Sequence, residues 1–335
     1  MLIADLLSAK YCQGTQSLCQ RFNAAEPFRY LVLDDFFQPA VAEKLRQDFP
    51  AFDTAKAMNE DGNIGAKCVH EQLSPLGGDY ARLDELIQTP AFLGWLGAIT
   101  GIEEPLLYDP YYFGGGTHEN RHGQDLDPHV DFNKHPKTGH HRRLNLIVYL
   151  NEEWQDDWGG AIEFHKDPRL PKEQNEVTHV APAFNRAVLF ETTYWSWHGF
   201  QRIQLPDGDA DERSRKSLAL YFYSETRPEA EQTKPHSTIY VERPLPDDIQ
   251  PGVTLTEEQY RALGVLLARR DQHLQRLYRK IEDLNGFNEE LLEARDKAYG
   301  MLSALQGGDA NKPPSRRLDH RARRWLARKL LAFRQ

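Results

Sequence analysis

A histidine and a carboxylate two residues apart, His129-Val130-Asp131, with a third partner about 70 residues on at His198, constrain this 335-residue chain more than any other feature. In an extended strand, residues i and i+2 project from the same face. A second strand must return His198 to that face if the three groups are to act together. Two imidazoles and one carboxylate so arranged suit a ferrous ion and leave three of its positions open. Zinc competes for the same donor types. His-x-Asp alone is a weak signal in a chain with 13 His, where a polar strand end is the ordinary explanation. The surroundings must therefore supply the β-structure that the cradle requires.

They do. Asp127-Pro128 reads as a turn or the start of a strand. Residues 143–151, RLNLIVYLN, form a strand-like run. Trp158-Gly159-Gly160 then gives a turn, and residues 161–164 a half-buried strand. A strand over 186–190 leads through Trp195-Ser196-Trp197 to His198, and residues 217–223 close the set. In that last strand, alternation puts Arg215, Ser217 and Ala219 on one face and Lys216, Leu218 and Leu220 on the other.

The ordered set of strand, HxD, strand, WGG, strand, His and RxS across residues 109–224 resembles the Fe(II)/2-oxoglutarate dioxygenases, in their prolyl-4-hydroxylase-like branch. The resemblance covers about a third of the chain. It implies a mainly β fold: a double-stranded β-helix (jelly-roll) core with an N-terminal helical support and a C-terminal long helix or coiled coil. It implies Fe(II) held by His129, Asp131 and His198, with 2-oxoglutarate and O₂ as co-substrates and ascorbate as a stimulant. Arg215 would hold the distal carboxylate of 2-oxoglutarate, since a guanidinium meets a planar carboxylate bidentately. Arg213 and Lys216 leave a one-residue register error open. Tyr149 resembles a tyrosine that joins that arginine, and Tyr112, before Gly114-Gly115-Gly116, resembles another pocket tyrosine. An ordinary core aromatic is the competing reading for both. Ser217 and Asn145 are further candidates for the pocket wall. A carboxylate at Asp131, where halogenases of this fold carry a small residue, implies hydroxylation or a related oxidation. The polar segment between His198 and Arg215 is longer than the family pattern and reads as a surface loop.

The rest of the chain organises around that core. Residues 1–105 read as an N-terminal α/β support, with a strand over 28–37, a helix over 41–49 and helical spacing from 79 to 99 broken by Pro90. Residues 106–243 form the core, and the His-rich stretch 118–141 reads mostly as loop. In it His135, His140 and His141 are expected to be solvated or substrate-facing. Residues 244–306 are a helical extension opened by a capping box at Thr254-Leu255-Thr256-Glu257. There Leu267, Leu274, Leu277, Ile281, Leu284 and Leu291 keep alternating spacings of three and four, with Asn288 at an a-type position and a bend expected at Gly286. A homodimer through 257–306 and a helical pair folded on the core are both open.

Residues 307–335 comprise a Gly/Pro break and a basic amphipathic tail. Positions 316–335 carry eight Lys or Arg against one Asp in a chain of net charge −9. Such a helix suits an anionic membrane surface or the acidic body of its own protein. Nucleic acid is not expected. The three cysteines, Cys12, Cys19 and Cys68, show no metal or disulfide spacing. No signal peptide or membrane span is read. A cytoplasmic protein is expected, in peripheral contact with the inner membrane face if the tail binds lipid. The acceptor is open among a prolyl group, a free amino acid and a lipid-linked envelope sugar, with the tail favouring the sugar. A non-catalytic metal-binding scaffold gathered by the coiled coil is the alternative function.

Overall fold

The computed structural model describes residues 2–57, 67–206, 208–210, 212–246 and 248–305. The chain divides into two units, residues 1–244 and 245–335.

The first unit is built on two antiparallel sheets. The larger contains β1 (Tyr30–Leu33), β2 (Cys68–His70), β3 (Leu107–Tyr108), β4 (Gly116–Asn120), β6 (His141–Tyr149), β9 (Ala187–Glu191) and β11 (Arg215–Ser224). Its order is β1-β9-β6-β11-β4-β2, with β3 also paired to β11. The smaller contains β5 (Leu126–Val130), β7 (Ile162–His165), β8 (Val177–Val180), β10 (Trp197–Phe200) and β12 (Ile239–Tyr240), in the order β12-β5-β10-β7-β8. This is the double-stranded β-helix expected of the sequence.

Alternation sorts the larger sheet into two chemistries. Leu144, Leu146 and Val148 of β6, with Leu218, Leu220 and Phe222 of β11, face an apolar core shared with the helices. Those helices are α1 (Thr15–Ala24), α2 (Pro39–Gln47), α3 (Gly78–Ile87) and α4 (Pro90–Thr100). As expected, the helical spacing is broken at Pro90, which opens α4 after α3 has ended at Ile87. Thr89 caps it by accepting from the Phe92 amide at 3.2 Å, and Gly101 ends it at φ +74°. Such a cap contributes about 1 kcal/mol. The Trp95 indole donates to the Tyr11 carbonyl at 2.8 Å and ties α4 to the N-terminal turn. The opposite face of the sheet turns inward. There Phe164, Val188 and Phe190 fill one end of the space between the sheets, against Tyr149. The polar residues of β6 and β11 line the remainder.

The 118–141 stretch is mostly loop, as expected, with nine of its 24 residues in strands: the last three of β4, all of β5 and the first of β6. His135 is a correction: it is not solvated but buried, with Nε2 3.3 Å from Asp109 and its ring packed edge-on to Tyr223.

In the second unit, α5 (Glu257–Leu305) runs 49 residues, and Gly286 does not interrupt it. A capping box does open it, two residues beyond the expected place. Thr256 Oγ1 accepts from the Gln259 amide at 3.2 Å, and Gln259 Oε1 accepts from the Thr256 amide at 2.9 Å. Among the described residues, no helix is long and apolar enough to cross a membrane. The tail at 316–335 lies outside the described residues.

Candidate active site

His129 lies on β5 and His198 opposite it on β10, paired in register. Asp131 follows β5 directly, two residues past His129. One ligand atom from each of the three lies within 4.8 Å of the others, and among the described residues this is the one such group. His129 Nε2 is 3.7 Å from Asp131 Oδ1, and His198 Nε2 is 3.5 Å from Asp131 Oδ2. Both imidazoles are oriented from behind. His129 Nδ1 donates to the Asp127 carbonyl and His198 Nδ1 to the Ser196 carbonyl, each at 2.9 Å. That fixes the tautomer leaving Nε2 as the lone-pair donor, as a metal-binding histidine requires. Burial, with His198 beside it, pushes His129 down to about 3. Burial likewise lowers His198. Both are neutral at pH 7 and available as ligands.

Asp131 is held as an anion. Burial alone would raise its pKa, but Arg142 and the two histidines outweigh it and keep the carboxyl well below the usual range. Arg142 Nη2 lies 3.1 Å from Oδ2, and the Asn145 amide donates to the same oxygen at 2.8 Å. Arg142 also donates to Asn145 Oδ1 from Nε at 2.9 Å and from Nη2 at 2.7 Å. Its guanidinium packs 3.7 Å from the Tyr221 ring centroid. The donor set, its tautomers and its charge fit a divalent ion with open positions.

Arg215 and Tyr149 line the other end of the pocket. Arg215 Nε donates to the Gly160 carbonyl at 2.6 Å, and Nη2 lies 3.1 Å from the Tyr149 hydroxyl. Both residues are buried. The Trp-Gly-Gly turn explains the fit. Gly159 and Gly160 sit at φ +67° and +69°, and a Cβ on Gly160 would meet Arg215 Cδ at 3.1 Å. Among the described residues no carboxylate forms an ion pair with Arg215. A buried guanidinium without an anion is costly unless a ligand supplies one.

The other candidates are placed as follows. Asn145 sits at the metal end, bonded to Asp131. Ser217 pairs with Tyr149 across β6 and with His118 across β4, so the three share the inner face. Lys216 points outward, 5.4 Å from the Phe49 ring centroid. Tyr112 is not brought to the pocket. It is packed in the helix-covered core, and its hydroxyl donates to Asp84 of α3. A non-glycine φ of +50° turns it away from the inner face.

The sequence reading missed three residues. Arg142 escaped because a bulge pairs Phe222 with Leu144 but Tyr223 with Arg142. Strict alternation would have put Arg143 beside Asn145; the bulge puts Arg142 there instead. His118 of β4 was passed over as loop. Lys67, just before β2, had no signal at all. Its Nζ sits 3.3 and 3.5 Å from the two ring nitrogens of His118. Burial, with Arg142 and Arg215 adding to it, pushes Lys67 down to about 8 against the pull of Asp131.

Two histidines on facing strands of a double-stranded β-helix, with an aspartate just past one of them, form the donor set of a non-haem metal oxygenase. The comparisons agree: residues 115–223 match the family described as the 2OG-Fe(II) oxygenase superfamily. It is 28% identical over 137 residues to a mouse (Mus musculus) protein named prolyl 3-hydroxylase OGFOD1. That match takes in 37% of this chain and 23% of the relative, so the chain spans under a quarter of that protein's length. A prolyl hydroxylase from Trichoplax adhaerens, solved with a hypoxia-inducible factor peptide, is 15% identical with a TM-score of 0.44; the alignment covers 65% of this chain and 94% of that one. A prolyl 4-hydroxylase from Phytophthora capsici is 18% identical with a TM-score of 0.42, covering 80% of this chain and 73% of that one.

Proposed function

We propose that the chain is a hydroxylase that oxidises an unactivated C–H bond using Fe(II), 2-oxoglutarate and O₂, with a prolyl or other amino-acid group as acceptor. The observation that carries this reading is the pairing of a complete His129, Asp131 and His198 cradle with a buried Arg215 that has no carboxylate partner among the described residues. Bound iron with 2-oxoglutarate and O₂ supplies the oxidising chemistry, and 2-oxoglutarate leaves as succinate and CO₂. The chain's residues do the rest. His129, Asp131 and His198 would hold the ion. Arg215, steadied by Tyr149 and the Gly160 carbonyl, takes the distal carboxylate. Arg142 and Asn145 keep Asp131 anionic and fixed in direction. The apolar layer around Phe164 and Phe190 keeps water from the inner end.

Aromatic side chains beside Asp131 favour the prolyl reading. Phe113 and Phe132 lie 5.5 Å apart, centroid to centroid, and Tyr111 and Phe113 are more than 40% exposed. Clustered exposed aromatics mark a recognition surface, and their faces suit an apolar ring. The test is conversion of 2-oxoglutarate to succinate with Fe(II) and ascorbate, followed by screening prolyl peptides and sugar acceptors for a gain of one oxygen. No succinate under any condition would support the scaffold alternative. A product on sugars alone would move the acceptor to the envelope-glycan class.

The partner expectations form part of the same proposal. The α5 residues Leu267, Leu274, Leu277, Ile281, Leu284 and Leu291 are 46–59% exposed at coiled-coil spacing, which supports pairing with a second copy. Light scattering that gives a monomer mass at micromolar concentration would end that reading. The basic tail is proposed to contact anionic lipid, and failure to sediment with anionic vesicles at low salt would end that one.

A further inference from the structure

We propose that Lys67, seated on His118, is an anion post for the acceptor, so that the group oxidised here belongs to a molecule bearing a carboxylate close to the reacting carbon. This rests on the oxygenase reading of the pocket.

Lys67 precedes β2 by one residue, and β2 pairs with β4 so that Cys68 faces Glu119 and Val69 faces His118. Alternation puts Lys67 and Val69 on one face, the face that His118 shares with Ser217 and Tyr149. Lys67 therefore enters the pocket from the edge of the larger sheet, two strands from Arg215. His118 Nε2 also lies 3.1 Å from the Gly114 carbonyl, so the ring leans away from the Arg215 end. An ammonium has three N–H donors, and the imidazole can satisfy only one.

Among the described residues no carboxylate lies at ion-pair distance from Lys67 Nζ. The opposite charge it feels is Asp131, which Arg142 already pairs. Among the described residues, three cations, Lys67, Arg142 and Arg215, thus share a pocket with one carboxylate. Iron adds two positive charges and 2-oxoglutarate two negative ones, so the loaded pocket stays cationic. The co-substrate's distal carboxylate accounts for Arg215. Lys67, half-buried on another wall, remains to be matched, and an acceptor carboxylate matches it.

The test reads the lysine directly. The protein is loaded with Zn(II), which takes the same ligands without redox turnover, and with 2-oxoglutarate. Its lysines are labelled with ¹³Cε and ¹⁵Nζ, which leaves both their charge and their three N–H donors unchanged. The Lys67 resonance is identified by its absence in Lys67→Arg. Propionate is then titrated, with propionamide as the neutral isostere. A saturable shift of the Lys67 signal with propionate and none with propionamide is expected. No saturable shift, or an equal response to the amide, overturns the proposal. So does a signal that 2-oxoglutarate alone moves and propionate leaves unchanged, because Lys67 then serves the co-substrate. Succinate formation, measured separately on the iron-loaded protein, reports on the oxygenase reading, so the two failures are told apart.

Discussion

The two ends of the pocket treat charge in opposite ways. At the metal end Asp131 is met by Arg142 at 3.1 Å and by the Asn145 amide at 2.8 Å before any ligand arrives. At the other end Arg215 is equally buried but is offered only a carbonyl and a phenol. The metal end is thus preorganised as an anion ready for a cation. The Arg215 end is a cation held in neutral company and ready for an anion. Preorganising both ends avoids reorganisation when ligands bind, and it makes binding depend on opposite charges at opposite ends.

The largest effect should come from emptying the metal end. His129→Ala, Asp131→Ala and His198→Ala are each expected to abolish 2-oxoglutarate turnover and stoichiometric Fe(II) binding, with far-UV circular dichroism unchanged. Wild-type-like turnover in any one of them would remove it from the ligand set.

Next in size is the other end. Arg215→Ala removes the buried partner of a carboxylate, a loss of roughly 2–5 kcal/mol, or about 30-fold or more in 2-oxoglutarate affinity. Lys216→Ala, outward on the same strand, should cost about 1 kcal/mol or less. Calorimetric titration of both variants checks the contrast, and reversed effects would mean a strand register shifted by one residue.

A smaller effect is expected in the metal-free protein as pH changes. His129 is held down to about 3 from an ordinary 6.5. Below 6.5 the unfolded chain takes up a proton that the folded chain refuses. Stability should therefore fall as pH drops from 6.5 towards 3, and recover as it rises. Urea midpoints in chelator at pH 7 and pH 5 should show the drop, and His129→Gln should flatten it. Equal slopes in the two proteins would mean that other groups carry the acid sensitivity.

The smallest effect tests the neutral company itself. Tyr149→Phe deletes one hydrogen bond to Arg215, a change of about 0.5–1.5 kcal/mol. The KM for 2-oxoglutarate should rise a few-fold with kcat nearly constant. A large fall in kcat would place the phenol in the chemistry.

Much of this was legible in the chain, because its signals are local. The i, i+2 spacing of His129 and Asp131 and the alternation that separates Arg215 from Lys216 follow from strand geometry alone. Pro90, read as a break in the helical spacing, opens α4 because its fixed backbone suits the first helical turn. Tyr112 was misplaced because a position before a glycine run does not reveal a positive φ that turns the side chain into the helix-covered core. The loops of residues 118–141 were legible as polar sequence, whereas the burial of His135 against Asp109 and Tyr223 depends on distant parts of the chain.

The sequence by itself determined the strand faces, the ligand types and the acid-base character of the two ends, because these depend on residue identity and on a two-residue period. Only the tertiary structure decided which cations share the pocket. A bulge in β6 brought Arg142 to Asp131 in place of Arg143, and pairing of β2 with β4 brought Lys67 to His118 across 51 positions. Both outcomes depend on register between distant strands, which is fixed by packing of the whole sheet and leaves no mark in the local pattern.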